Sequence, residues 1–345
     1  MKRLVLGLDD GSEAWSIPDA EADALARDYP DLEIVRARSD EALEAALPVA
    51  EILFSWFPGA EALDRAERLR WLHTPSAGVG PYLTPGIRAR RTAVTNSRGV
   101  HAIPMAEHVM GMLIALARGF RPAIEEQTGP GGMKREAWWS GSRIPRELFG
   151  KTLGIFGYGA IGRECARRAI AFGMRVVALR RHPERAEAFD PDLLSAIGLP
   201  AEEPRVDQVL GPGDLDRLLG ESDAVLVTAP HTPETEGVFD ARAFAAMRRG
   251  AWYLNVARGK INVERDLAAA LRNGHLAGAA LDVFEGGLPP SDSELYGLSN
   301  VLLTPHVSST STGYWRRAMG LFRANLDRDR AGRPLLNQVD LERGY

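Results

Sequence analysis

Thr152-Leu153-Gly154-Ile155-Phe156-Gly157-Tyr158-Gly159-Ala160-Ile161-Gly162-Arg163-Glu164-Cys165 is the stretch on which the fold turns. Five residues of β character run into three glycines spaced G-x-G-x-x-G. A helical pattern follows, with Ile161, Cys165, Arg168/Ala169 and Phe172 on one face. Strand, glycine turn and helix in that order are what a phosphate-binding βα unit requires. Gly157 allows the tight turn, Gly159 lets backbone approach a pyrophosphate, and Gly162 lets helix and strand pack closely. A pyrophosphate would then lie at a helix start, where free N–H groups and the helix dipole favour an anion. Ala160 and Ile161 lead that helix. Cys165 reads as a small core residue, not a reactive thiol.

The next strand, Arg175–Leu179, ends in Arg180-Arg181-His182-Pro183. An NAD site places Asp or Glu here to accept from the ribose 2′-hydroxyl. No carboxylate is at hand. Two guanidiniums suit a 2′-phosphate through charge-assisted, often bidentate contacts, so NADP(H) is expected ahead of NAD(H). The alternative is a solvated arginine pair, since Arg175 and Arg185 are also near.

Outward from this motif, short β-like runs alternate with helical segments in two stretches, the pattern of parallel βα units. In the first, strands are expected at Leu4–Leu8, Glu33–Ala37, Ile52–Phe57, Trp71–Thr74 and Ala93–Asn96. In the second they are expected at Thr152–Phe156, Arg175–Leu179, Ala224–Thr228, Trp252–Val256, Ala279–Val283 and Val301–Thr304, nearly continuous apolar runs that suit a sheet covered on both faces. A long apolar helix over Pro104–Arg118 precedes them, and a helical tail spans Gly313–Arg330. Thr128–Ser142 reads as an irregular loop, and Pro183–Gly213 as a surface excursion. The expected fold is α/β, with two doubly wound parallel-sheet domains.

At 345 residues the chain suits two domains. A net charge of −4 and a pI near 6.0 give no basic footprint for nucleic acid. The one cysteine excludes an intrachain disulfide and a cysteine-based metal site, and fits a reducing cytoplasm. Asp9-Asp10 interrupts the first apolar run too soon for a signal-peptide core, and the run Val109–Ala117 is about half a membrane span. No metal, nucleic acid or membrane partner is expected, and a cytoplasmic protein is.

Two further segments follow strands of the second stretch, where ligands bind in open α/β sheets. They are Asn255-Val256-Ala257-Arg258-Gly259 and Thr304-Pro305-His306. An arginine at such an edge can clamp a carboxylate with two parallel hydrogen bonds. A histidine can hand a proton to a developing alkoxide.

The chain resembles the D-isomer-specific 2-hydroxyacid dehydrogenases. The resemblance rests on Thr95-Asn96-Ser97-Arg98-Gly99-Val100-His101, Met105-Ala106-Glu107-His108-Val109, Glu147-Leu148-Phe149-Gly150-Lys151-Thr152-Leu153-Gly154 and the glycine motif. It continues through Ala229-Pro230-His231-Thr232-Pro233-Glu234-Thr235, Ala257-Arg258-Gly259, Ala279-Ala280-Leu281-Asp282-Val283-Phe284-Glu285 and Leu303-Thr304-Pro305-His306. It implies a Rossmann cofactor domain over 99–308, and a smaller flavodoxin-like substrate domain over 1–98 and 309–345 to which the C-terminal helix returns. The active cleft would lie between them. It further implies that Arg258 binds the substrate carboxylate and polarises the 2-oxo group, and that His306 is proton donor and acceptor. The Ser76-Ala77-Gly78-Val79 backbone would hold the carboxylate. Ala160 and Ile161 would meet the pyrophosphate and Asp282 the nicotinamide carboxamide, with Pro230, Val256 and His306 also beside the cofactor. A homodimer through the cofactor domain is implied too, and would explain the apolar helix. His101 and His108 read as structural, His231 as a candidate ligand contact, and Trp138 and Trp139 as cleft or seam residues.

The family supplies a glutamate, in a Glu-Pro pair, that hydrogen-bonds the catalytic histidine. Here Asp282-Val283-Phe284-Glu285-Gly286-Gly287-Leu288 places Gly287 at that position and leaves Glu285 two residues early. His306 would lose an orienter and a charge favouring imidazolium. Three outcomes stay open: Glu285 swings in, another carboxylate substitutes, or catalysis is weakened. The expected activity is reduction of a small 2-oxo acid such as glyoxylate or hydroxypyruvate. The alternatives are a dinucleotide-sensing interaction protein on the same scaffold, like the family's transcriptional co-repressor relatives, and an enzyme oxidising formate or phosphite.

Overall fold

The computed structural model describes residues 1–140, 144–184 and 189–344. The chain divides into two compact units. One comprises Met1–His101, Ala188–Ala201 and Thr310–Tyr345, the other Ala102–Glu187 and Glu202–Ser309.

The first unit holds five parallel strands: β1 (Lys2–Gly7), β2 (Leu32–Arg36), β3 (Ile52–Ser55), β4 (Trp71–Thr74) and β5 (Ala93–Asn96). Their spatial order is β2-β1-β3-β4-β5, the flavodoxin-like order. Alternate residues serve opposite faces, as the strand period requires. Val5, Leu53, Leu72 and Val94 pack with Leu43, Leu63 and Ile87 from the helices Asp40–Ala46, Ala60–Arg65 and Pro85–Arg90. On the other face Phe54 and Trp71 meet Phe322 of the helix Tyr314–Arg330, at ring-centroid distances of 4.5 and 5.2 Å. Beyond that helix the chain runs antiparallel to β5, with Val339 N–H donating to Val94 at 2.8 Å.

The second unit holds seven parallel strands in the order β12-β11-β10-β9-β6-β7-β8. They are β6 (Thr152–Phe156), β7 (Arg175–Leu179), β8 (Gln208–Leu210), β9 (Ala224–Val227), β10 (Trp252–Asn255), β11 (Gly278–Leu281) and β12 (Val301–Leu303). The strand order reverses direction around β6, as in a Rossmann sheet. Leu153, Ile155, Val176, Leu226, Leu254 and Ala280 face the helices Ala102–Arg118 and Ala160–Ala171, through Val109, Leu113, Cys165 and Ala169. Val177, Val225, Tyr253 and Leu281 pack on the opposite face with Phe239, Phe244, Leu267 and Leu271. The apolar character of Ala102–Arg118 is thus largely spent within this unit. Met105, Ala106, Val109, Met110, Met112, Leu113 and Ala117 are all buried.

The structure corrects the reading of Pro183–Gly213 as a surface excursion. It contributes β8, paired with β7, and the helix Pro191–Ile197, which belongs to the first unit and interrupts the expected 99–308 span. Leu193, Leu194 and Ile197 are buried. Gly320 lets the Ala196 carbonyl reach the C-terminal helix, because a Cβ there would overlap that oxygen. Arg328 pairs with Asp190 at 3.1 Å and Asp192 at 2.8 Å. The strand has three residues and the helix seven, too short for periodicity to register. Within the expected loop 128–142, Arg135–Trp139 forms a short helix; Gly141 and Ser142 lie outside the described residues, as does Arg185.

Candidate active site

The strand order lines up the residues singled out above along one sheet edge. His306 follows β12, Asp282 β11, Arg258 β10, Pro230 β9, Gly157 β6 and Arg180 β7, all at C-terminal strand ends. Neighbouring strands lie about 4.8 Å apart, so the strands leading to Arg258 and His306 are about 10 Å apart, with Asp282 between.

The glycine turn has the geometry a pyrophosphate needs. Gly157 has φ +104°, and a Cβ there would overlap the Ala229 backbone; a Cβ at Gly162 would crowd the Gly157 carbonyl. Gly159 caps the helix Ala160–Ala171 and faces open space. Among the described residues, the N–H groups of Ala160, Ile161 and Gly162 have no protein acceptor, as expected for a first helical turn. At the end of β7 the Arg180 guanidinium donates to the Pro183 carbonyl at 3.1 Å. Arg181 is exposed, and its charge helps a Thr232 hydrogen bond hold the Glu234 carboxyl below its usual range. Arg175 is engaged elsewhere, with Asp207 at 3.4 Å. Val256 is buried and Pro230 exposed.

Arg258 is exposed on a loop that buried amides hold. The Asn255 amide donates to the Arg258 carbonyl at 3.0 Å and to Asn262 at 2.7 Å, while its oxygen accepts from Ala257 N–H at 2.9 Å. The loop lies directly against the 284–285 backbone, since a Cβ on Gly259 would overlap Phe284 and Glu285. Asn255 and Asn262 were not singled out from sequence. An asparagine ending an apolar run three residues before Arg258 was the available signal.

His306 adopts a left-handed backbone with φ +56°, and its side chain is exposed. A non-glycine residue in that region costs about 1–2 kcal/mol. The compensation comes from Asp282, whose carboxylate is 0% exposed. One oxygen accepts from Thr304 Oγ1 at 2.5 Å and Val307 N–H at 2.9 Å, the other from Ser308 N–H at 2.9 Å. Hydrogen bonds to a charged group contribute about 1.5–3 kcal/mol each, so the set outweighs the backbone strain. Burial alone would raise the Asp282 pKa; the Ser308, Thr304 and Val307 hydrogen bonds reverse this and hold it low. Thr304 gives its one proton to Asp282, so His108 Nε2, 3.0 Å away, donates to Thr304. Burial holds His108 below the usual imidazole range against the opposing pull of Asp282. The resemblance implied a nicotinamide contact for Asp282; its observed occupation is holding the His306 loop. Among the described residues no carboxylate pairs with His306. Gly286 and Gly287 have φ +78° and +112°, and Glu285 is exposed. An L-residue at Gly287 would be strained even with open space beside it.

In the first unit, Ser76–Val79 forms the loop after β4. Ser76 Oγ lies 3.1 Å from Thr74 Oγ1 and donates to the Gly78 carbonyl at 2.6 Å. Ala77 and Gly78 are exposed and Val79 is buried. His101 stacks on Tyr314 at 5.2 Å, His231 lies 3.3 Å from Glu236, and Trp138 donates to Glu126 at 3.0 Å while Trp139 is exposed. Burial raises the Cys165 thiol to about 12, consistent with a core role.

Asp282→Asn should destabilise the protein by about 1–3 kcal/mol, because an NH2 would face N–H donors that the carboxylate now satisfies. Urea denaturation measures this. Since the Asp282 pKa is lowered in the fold, its contribution is full at neutral pH and fades as pH falls below the carboxylate range. The wild-type advantage over Asp282→Asn should shrink there; an advantage that grew on acidification would contradict the assignment.

Comparison with known proteins agrees with this geometry. Residues 110–308 match the family described as D-isomer specific 2-hydroxyacid dehydrogenase, NAD binding domain. The glyoxylate reductase of Thermococcus gammatolerans is 35% identical over 257 residues, covering 73% of this chain and 71% of the relative. The D-3-phosphoglycerate dehydrogenase of Mycobacterium tuberculosis is 33% identical over 281 residues, 80% of this chain. The match takes in only 48% of that relative, so this chain spans about half its length. The crystal structure of a D-isomer specific 2-hydroxyacid dehydrogenase from Xanthobacter autotrophicus, in complex with NADPH and MES, is 30% identical. It superposes with a TM-score of 0.76 over 100% of this chain and 99% of that one. The chain belongs to the D-isomer specific 2-hydroxyacid dehydrogenase family.

Proposed function

We propose that this protein is an oxidoreductase exchanging a hydride between NADP(H) and a small 2-oxo acid or D-2-hydroxy acid of the glyoxylate or hydroxypyruvate kind. The observation that carries the reading is the placement of Arg258 and His306 at the ends of strands two apart, on the edge that also carries the glycine turn. When bound, the nicotinamide supplies the hydride to C2 of the oxo acid, or takes it in the reverse direction. Arg258 holds the substrate carboxylate and polarises the oxo group. His306 gives the oxygen its proton and takes it back in reverse. Gly157, Gly159, Ala160, Ile161 and Gly162 cradle the pyrophosphate, while Pro230, Val256 and Asp282 lie beside the rest of the dinucleotide. Ser76, Ala77, Gly78 and Val79 hold the carboxylate through backbone N–H groups.

Arg180 and Arg181, with no carboxylate at the end of β7, support NADP(H) over NAD(H). A phosphorylated substrate is not carried over from the longer phosphoglycerate dehydrogenases. General acid–base catalysis contributes about 10²–10⁴-fold, so His306 without an orienting carboxylate leaves a slower enzyme, not an inert one. That same feature favours a second reading, a dinucleotide-sensing interaction protein.

Turnover of NADPH and NADH against a panel of 2-oxo acids decides between them. Activity is expected with NADPH, falling about 10²–10⁴-fold in His306→Ala and failing to recover in Arg258→Lys, which lacks the bidentate fork. Tight NADPH binding without turnover on any acid would replace the enzyme by the sensor. Arg180→Ala with Arg181→Ala should raise the KM for NADPH about tenfold or more and leave that for NADH within about twofold. Equal loss for both coenzymes would count against a 2′-phosphate site.

A homodimer and a cytoplasmic location complete the reading. Phe149, 76% exposed, lies with Phe172 and Ile114 around one surface depression of the second unit, an apolar patch suited to a second copy. Sedimentation should find a dimer that Phe149→Glu dissociates; a wild-type monomer overturns it. The lone Cys165 is buried, and among the described residues no helix is long and apolar enough to cross a membrane.

A further inference from the structure

The loop after β4 is held by its carbonyl oxygens, one after another. The Tyr314 hydroxyl donates to the Pro75 carbonyl at 2.7 Å and Ser97 N–H to the Ser76 carbonyl at 3.1 Å. The Asn96 amide donates to the Ala77 carbonyl at 2.8 Å, and Ser76 Oγ to the Gly78 carbonyl at 2.6 Å. Across a trans peptide, the carbonyl of one residue and the N–H of the next point in opposite directions. Fixing the carbonyls of Ser76, Ala77 and Gly78 therefore aims the N–H groups of Ala77, Gly78 and Val79 the other way. Among the described residues those three N–H groups have no acceptor. Three successive donors with fixed direction and no protein partner are what a backbone anion site requires.

The holding groups are themselves immobilised. Asn96 is buried; its side-chain oxygen accepts from Arg98 N–H at 3.2 Å, and its backbone N–H and carbonyl bond to Asn337. Tyr314 is 1% exposed, stacked on His101 and packed edge-on against Trp15 and Trp315. Ser97 Oγ donates to the Thr74 carbonyl at 3.0 Å and lies 3.3 Å from His73 Nε2. Burial pushes that imidazole down to about 3, so it stays neutral and adds no competing charge beneath the loop.

We infer that Asn96 and Tyr314 are positioning residues, which aim the Ala77, Gly78 and Val79 N–H groups at the substrate's carboxylate without touching it. This rests on the function proposed above. A loop free to rotate its peptides would present fewer of the three donors at once, weakening hold on the acid while leaving hydride chemistry and coenzyme binding alone.

The test uses the full-length protein with Tyr314→Phe, which removes only the hydroxyl, and Asn96→Ala. Direct binding of oxamate, an unreactive isostere of a 2-oxo acid, is measured in the presence of NADPH. Steady-state kinetics and NADPH affinity are measured alongside. Each variant should weaken oxamate binding and raise the KM for the oxo acid about three- to tenfold. The kcat and NADPH affinity should stay within about twofold, a split that general loosening of the fold would not give. Oxamate binding unchanged in Tyr314→Phe overturns the inference alone, as does a parallel loss of NADPH affinity. Wild-type protein that binds neither oxamate nor any 2-oxo acid overturns the proposed function, and the inference with it.

Discussion

Both sheets are parallel and covered on both faces, and that constraint decides where chemistry can occur. β3, β4, β6, β9, β10 and β11 are buried along their whole length. A side chain within them faces apolar neighbours, where an unpaired polar group costs about 1–3 kcal/mol. Polar function is pushed to the strand ends, and parallel strands send all their C-terminal ends to one edge. Arg258, His306 and the glycine turn share an edge because of the ladder itself.

Exposure at an edge supplies reactivity and sacrifices rigidity, and a repeated device restores it. A buried polar side chain at a strand end captures the backbone of an exposed loop. Asp282 holds 304–308, Asn255 holds 257–258, and Asn96 holds Ala77. Each has most of its hydrogen-bonding capacity satisfied in the fold, so each bond it makes also avoids a desolvation cost. A displaced loop would therefore lose a contact and strand a buried polar group. The geometry of exposed loops is set in this way by residues whose own side chains stay hidden.

How far the sequence showed this depended on the length of the signal. Apolar runs of four or five residues, the glycine turn and the long helices at Ala102–Arg118 and Tyr314–Arg330 were legible, because each carries its own periodicity. β8 and the helix Pro191–Ile197 were not. Their stabilising contacts come from β7 and from Gly320 and Arg328, over a hundred residues away for the helix, and no local pattern encodes such contacts. Arg258 and His306 were readable as residue types at strand ends. The residues that hold the loops were harder to find: His108, which donates to Thr304, sits on an apolar helix and reads as core, and Tyr314 stands 239 residues from the Pro75 carbonyl it binds.

A carboxylate paired with a histidine such as His306 would perform two tasks at once. One is electrostatic, and among the described residues no carboxylate pairs with the His306 ring. The other is orientation, and here the backbone has a means of its own. The left-handed φ of +56° is fixed on both sides by Asp282, through Thr304 before the histidine and Val307 and Ser308 after it. The direction of the Cα–Cβ bond is therefore set whether or not the ring has a partner. What remains free is rotation about the side-chain bonds, a much smaller ensemble than a mobile loop would give. Most of the positioning is thus supplied by the backbone, and the turn that carries Gly286 and Gly287 is left-handed at both. Placing a glutamate at position 287 by side chain alone is therefore insufficient: the carboxylate would have to come with a turn able to carry a Cβ.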